Sequence, residues 1–382
     1  MTSQHRSPFP LTLDLLYELL DIDRELPVRR LLQAARQVRG VLSPLVLSLA
    51  ALEGTAMGSG AHDELARMSR RADTYRRLAD DTARVPGARV VKGPSIARYY
   101  PEGVLRPLGD LDVVVPTESA LWRVLALVLD RHDSDEAELT ELYEGEERHL
   151  LAAVWWPGED PLLDPDHGVE VTTFGFGGEP GEVPLRARLP DDPVHADVLS
   201  LAEERFQRPF TVKDILDLVC VMTSPAAPSP RRLAAVAAEF ALAPELLELC
   251  DRVRAHEPLV AAVPDELVDA LRGPAETERL RRAERAMDSA RPRTPAGAVR
   301  EPRYGLQLTT PLRRGAGEHA TEHRWREGVI TRTPVADFLM VPGELVDPRL
   351  HECALAELSA LAPWPQRTGH GAPTRPYTRE EV

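Results

Sequence analysis

Residues 109–116 read "GDLDVVVP", in which two aspartates, Asp110 and Asp112, open an apolar run, Val113 to Val115, of the kind that forms a buried strand. Side chains alternate along a strand, so residues two apart share a face. Asp110 and Asp112 therefore project together beside side chains that favour burial. Two like charges held side by side raise each other's ionisation cost unless a cation lies between them. A chain built around this stretch has to end a strand in a polar site that can hold a cation. No other segment restricts the fold as much.

The residues before it fit the same purpose. "ARVV" reads as a short strand, and Lys92 and Gly93 lead into a helix through "SIARYY", with Pro94 suited to its first turn. Free N–H groups at that helix start, with the Ser95 hydroxyl, would make an anion site. Asp110 follows Gly93 by 17 residues, and a third acid, Glu170, stands between Val169 and Val171 in the strand-like run "GVEVTTFGF". Three convergent carboxylates near a phosphate-friendly turn suit Mg²⁺, which binds through a few carboxylates plus substrate phosphates. Two such ions, about 4 Å apart, would clamp the attacking and leaving oxygens of a displacement at phosphorus. The expected cation is magnesium carrying a nucleoside triphosphate.

The whole stretch "VVKGPSIARYYPEGVLRPLGDLDVVVP" resembles the signature of the uncharacterised nucleotidyltransferase family in the DNA polymerase β superfamily. Lys92-Gly93, Tyr100-Pro101, Arg106-Pro107, Gly109, Asp110 and Asp112 match its pattern. The resemblance covers roughly residues 60–225, and "RPFTVKDILDL", with Lys213, Asp214 and Asp217, is similar to the family's following helix. It implies an α+β fold, a small mixed sheet flanked by helical segments. It also implies transfer of a nucleoside monophosphate, foremost AMP from ATP, to a small-molecule, peptide or protein acceptor, with release of pyrophosphate. Asp110 and Asp112 would hold the metals, and Glu170 would hold the second metal or deprotonate the acceptor. Gly93 and Ser95 would cradle the β/γ-phosphates, Lys92 and Arg106 would neutralise triphosphate charge, and Gly109 counts with the nucleotide-binding residues. Read without the resemblance, Arg106 is also placed to pair with Asp110 or Asp112, and Lys213 and Asp214 read as helix-surface charges. The family sets His-Trp after the third acid, where this chain has Thr172 and Thr173. That departure leaves open a non-catalytic protein that binds a nucleotide or a partner on a degenerate nucleotidyltransferase fold.

The chain of 382 residues exceeds one ordinary core, so several subdomains are expected. Residues 1–85 read as helical, 86–185 as the nucleotidyltransferase core, and 186–290 as a helical domain. Residues 291–362 form a Pro/Arg-rich segment with a hairpin at "GVITRTPVADFLMVPG" and a final helix, and 363–382 read as a disordered tail. Within the core the expected order is strand–helix–strand–helix–strand–strand. The acidic run "DSDEAELTELYEGEERH" reads as a solvated helix face or loop. With 61 acids against 46 bases, the net charge of −15 opposes broad binding to nucleic acid or anionic membrane. Cys220, Cys250 and Cys353 are far apart and support neither a zinc knuckle nor a disulfide framework. Acids interrupt the N-terminal apolar residues and no apolar run could cross a bilayer, so a cytoplasmic protein is expected. "HATEH", His319 to His323, matches an inverted zinc-peptidase pattern but lacks a helical setting. No Walker A sequence occurs.

Overall fold

The computed structural model describes residues 6–38, 41–179, 182–289, 301–343 and 346–366. Helices α1 (Leu13–Leu19), α2 (Val28–Gln37), α3 (Ser43–Leu52) and α4 (Ser59–Thr82) come first. Pro86 and Gly87, the latter at φ +78°, turn the chain into β1 (Arg89–Val91). Next come α5 (Gly93–Ala97), β2 (Leu111–Val114) and α6 (Glu118–Leu129). The Thr117 hydroxyl accepts from the Ala120 N–H at 3.2 Å and so caps α6. Strands β3 (Glu136–Glu144), β4 (Glu147–Trp156) and β5 (His167–Thr172) follow. Helices α7 (Pro193–Gln207), α8 (Val212–Thr223), α9 (Pro230–Glu239), α10 (Ala243–Arg254) and α11 (Asp265–Ser289) come next. The chain then returns through β6 (Arg303–Gln307), β7 (Thr321–Arg324), β8 (Val329–Arg332), β9 (Asp337–Val341) and α12 (Pro348–Ala360). The fold is α+β, as expected.

The nine strands of the described residues join one mixed sheet in the order β1-β2-β5-β4-β3-β6-β9-β8-β7, with β2 and β5 parallel and the other pairs antiparallel. One face is apolar. Leu111, Val113, Val169, Val171, Ala152 and Val154 pack there against α6 and against Tyr75 and Leu78 of α4. Each fully buried Leu or Val contributes about 1.5–3 kcal/mol. The opposite face carries a single row in register: Val91, Asp112, Glu170, Ala153 and Glu138. A second core joins α1–α3 to α7–α11, so helices before and after the sheet strands pack together. A third, small core sets α12 against Ile330, Leu339 and Val341.

Several expectations change. The acidic run 133–149 is not a helix face or loop but the β3–β4 hairpin. Ala137, Leu139 and Glu141 alternate inward while Glu136, Glu138 and Glu144 point out, which is strand patterning written with glutamates. Buried Glu141 is neutralised by Arg303 and by Arg148 at 3.4 Å. The sheet also extends beyond residues 86–185, because β6 pairs with β3 and brings in the expected hairpin. Of the expected Pro/Arg-rich segment, residues 291–300 lie outside the described residues, and Arg303–Gly305 belong to β6. Residues 367–382 of the expected tail also lie outside them. Trp364 is anchored, donating from its indole N–H to the Ala316 carbonyl at 2.7 Å. "HATEH" enters strand β7, and its histidines lie near different glutamates, Glu118 and Glu357. Among the described residues, no helix is long and apolar enough to cross a membrane.

Candidate active site

The geometry begins with register. Asp112 stands opposite Val91 on one side and Glu170 on the other, so the two carboxylates are direct neighbours on parallel strands, one strand spacing of about 4.8 Å apart. Asp110 precedes β2 by one residue and lies two residues before Asp112. All three are half-buried and line one cleft of about 1400 Å³ between sheet and helices. None of the three has a hydrogen-bond or ion-pair partner among the described residues. Burial pushes the Asp112 carboxyl up to about 8; Asp110 and Glu170 add to this while Lys92 opposes it. Burial likewise pushes Glu170 up to about 7, with Asp110, Glu138 and Glu204 adding and Lys92 opposing.

These carboxylates form an all-oxygen, mutually repelling and unpaired donor set, and a hard divalent cation relieves that condition. The residues present therefore fit magnesium. Among the described residues, no three acid, histidine or cysteine side chains are already drawn into ligand geometry, so an ion would have to pull these together. Both raised carboxyls sit above their unfolded values, so the stability linked to them is full in acid and is lost as pH rises through about 7 to 8. Magnesium binds the ionised forms and should restore it. The rise in melting temperature on adding millimolar Mg²⁺ is expected to be larger at about pH 8 than at about pH 5.5. Scanning calorimetry checks this, and an equal rise at both pH values would count against the site.

The turn beside them is strained. Lys92 sits at φ +51°, ψ −141°, where an L-residue costs about 1–3 kcal/mol. Its ammonium pairs with Glu204 of α7 at 2.6 Å. Burial would lower the Lys92 ammonium, but Asp112 and Glu204 more than reverse this and hold it above the usual lysine range. Gly93, at φ +28°, lies so close to the next strand that a Cβ would stand 3.3 Å from the Asp110 carbonyl oxygen. The Lys-Gly pair thus turns the chain tightly beside the carboxylate strand, with the ammonium within the electrostatic reach of Asp112.

Three of the expected nucleotide-binding residues take other partners. Ser95 does not line the cleft: its hydroxyl donates to Asp197 at 2.6 Å, beside Arg98 at 2.7 Å and Tyr99 at 2.9 Å. The helix that holds it, α5, is one short turn of five residues, too little for a substantial dipole. Arg106 pairs with neither Asp110 nor Asp112. Its side chain is 2% exposed and donates twice to Asp217 at 2.7 Å, which also accepts from Tyr100 at 2.7 Å. A guanidinium committed to a buried carboxylate holds the loop to α8 and is withdrawn from triphosphate. Gly109 lies open, and its carbonyl accepts from Tyr75 at 2.7 Å and from Arg71.

Lys213 and Asp214 are not simple surface charges either. Buried Asp214 caps α8 with Thr211 and pairs with Arg208 at 2.6 Å, while Lys213 lines the cleft and pairs with Asp217 at 3.3 Å. The sequence reading missed Glu204 and Glu138. Glu138 had a signal, its place in an alternating run; Glu204 had none, since only packing of α7 brings it to Lys92. Arg71 of α4 was also missed, and donates to the carbonyls of Leu108 at 3.2 Å, Pro165 at 2.8 Å and Asp166 at 2.7 Å, tying the loops before β2 and β5. Cys220 and Cys250 are buried thiols raised by burial, as inert cysteines are, and Cys353 is exposed.

No family model matches the chain, and no curated protein matches it. Among solved structures, the chain is similar to JHP933 from Helicobacter pylori, at 14% identity over 57% of this chain and 94% of that one, with a TM-score of 0.28. A likeness of that size carries no argument about fold or activity.

Proposed function

We propose that the protein transfers a nucleoside monophosphate, foremost AMP from ATP, to an acceptor and releases pyrophosphate. The observation that carries this reading is the pairing of Asp112 with Glu170 on adjacent parallel strands, with Asp110 two residues earlier and all three facing one cleft. Asp110 and Asp112 would hold magnesium, which supplies charge neutralisation at the reacting phosphate. An oxygen of the acceptor bonds to the α-phosphorus as the bond to the α–β bridging oxygen breaks, and that oxygen leaves with its electron pair on pyrophosphate. Glu170, raised to about 7, is suited to take the acceptor proton near neutral pH. Lys92, which lines the cleft and feels the charge of Asp112, would exchange Glu204 for the triphosphate. Catalysis in such transfers is mainly positioning and electrostatics, and this arrangement offers both.

A second reading keeps the fold without the chemistry: a regulatory protein that binds nucleotide or a partner. The engagement of Ser95 by Asp197 and of Arg106 by Asp217 favours it, because both are removed from phosphate. Incubation with each labelled nucleoside triphosphate, Mg²⁺ and a panel of acceptors separates the two. A Mg²⁺-dependent nucleotidylated product with equimolar pyrophosphate is expected. Nucleotide binding that ignores Mg²⁺, without pyrophosphate release, would favour the regulatory reading.

A further inference from the structure

The row that contains Asp112 and Glu170 does not stop at the cleft. It continues through Ala153 to Glu138, and the register that sets Leu139 against Gly305 puts Leu306 next in line. Beyond Leu306 the row reaches Leu339 and Ile330, and there α12 closes over it. At the other end the Lys92–Glu204 pair closes it against α7. Between these two walls, among the described residues, Ala153 is buried between its neighbours, while Glu138, Tyr304 and Leu306 are exposed on this face. Tyr304 is 41% exposed and Leu306 38% exposed, high values for apolar side chains within a sheet. Trp155 presses on Gly168, where a Cβ would stand 2.2 Å from its ring, and this sets an indole beside Glu170. Exposed Glu136 and Glu138 flank the same floor, and neither has an ion-pair partner among the described residues.

We propose that this floor is the acceptor platform of the transfer reaction, and that the acceptor is a peptide segment in which Lys or Arg accompanies the hydroxyl that attacks the α-phosphorus and gives up its proton. The inference rests on the nucleotidyltransferase reading. From Glu170 to Leu306 the floor spans three strand spacings, about 14 Å, or roughly four residues of extended peptide. A small amine would leave Tyr304 and Leu306 uncovered, whereas a peptide covers them. Unpaired carboxylates beside aromatic rings select a cation, through charge and through contact with the rings. The same carboxylates repel a phosphate backbone.

The test measures binding apart from chemistry. Fluorescent twelve-residue synthetic peptides in three sets, Lys/Arg-bearing, neutral and Asp/Glu-bearing, are titrated with the full chain by anisotropy, without nucleotide or Mg²⁺. Only the Lys/Arg-bearing set should bind. Glu138→Lys should weaken that binding at least about tenfold. Tyr304→Ala, at an exposed position that leaves the fold intact, should also weaken it. Glu257→Lys makes the same charge change at a distant exposed helix start and should not. Asp112→Asn should keep the peptide while losing Mg²⁺-dependent nucleotide binding, so failure of the platform and failure of the reaction are distinguishable. Equal binding by the neutral or acidic sets would overturn the proposal. So would equal weakening by Glu138→Lys and Glu257→Lys, or full displacement by spermidine at the peptide's own concentration.

Discussion

Asp112→Asn is expected to melt at a higher temperature than the native chain at about pH 8 in the presence of a chelator, and to lose nucleotidyl transfer by about a thousandfold or more. The two effects share one cause. In the metal-free fold, burial and the neighbouring Asp110 and Glu170 lift the Asp112 carboxyl from its ordinary 3.8 to about 8. A group raised in this way favours the folded state in acid and opposes it once pH forces ionisation. The amide removes that opposition, so its stabilising effect should vanish below about pH 4, where the native carboxyl is protonated in both states. The amide also removes an anionic oxygen from the pair proposed to hold magnesium, and transfer is expected to be lost with it. Paired melting curves across pH, with pyrophosphate release on the same samples, provide the check. A variant less stable than the native chain at pH 8, or one that still transfers nucleotide, would refute the assignment of Asp112.

Arg106→Ala carries the largest expected loss of stability. Among the described residues it leaves the Asp217 carboxylate, at 0% exposure, with Tyr100 at 2.7 Å and Lys213 at 3.3 Å to compensate it. Removing one partner of a buried ion pair costs about 3–5 kcal/mol. In a chain of this size that lowers the melting temperature by on the order of 10 °C. Were Arg106 instead a phosphate ligand, the same variant would lose ATP affinity with little change in melting. Calorimetry and ATP titration on one preparation distinguish the roles, and a shift under about 2 °C would show that the pair holds little. Arg106→Lys should recover only part of the loss, because an ammonium cannot reproduce the two parallel bonds to Asp217.

Much of the site was legible because it obeys local rules. Alternation placed Asp110 with Asp112, the apolar neighbours of Glu170 marked its strand, and Lys92-Gly93 marked the start of the helix between β1 and β2. What could not be read is what depends on distant chain. Nothing near Ser95 announces Asp197, and nothing near Arg106 announces Asp217, since each partner arrives on a helix about a hundred residues later. Strand β3 was misread for a related reason. Its charges were taken as a sign of solvent, although a strand with one open face accommodates glutamate at every second position. The joining of α1–α3 to α7–α11 is likewise a tertiary fact that no single segment carries.

The long interval between β3 and β6 has a consequence for the nascent chain. β3 ends at Glu144 and its partner begins at Arg303, 159 residues later. At about 5–20 residues per second, a ribosome needs roughly ten to thirty seconds to make the intervening chain. Throughout that time β3 is an unpaired edge, able to recruit a strand from a neighbouring nascent chain. Charge is the usual protection of such an edge, and Glu136, Glu138 and Glu144 supply it along the length of β3. The glutamates that made this segment look like a loop also keep it unpaired until its own partner is synthesised.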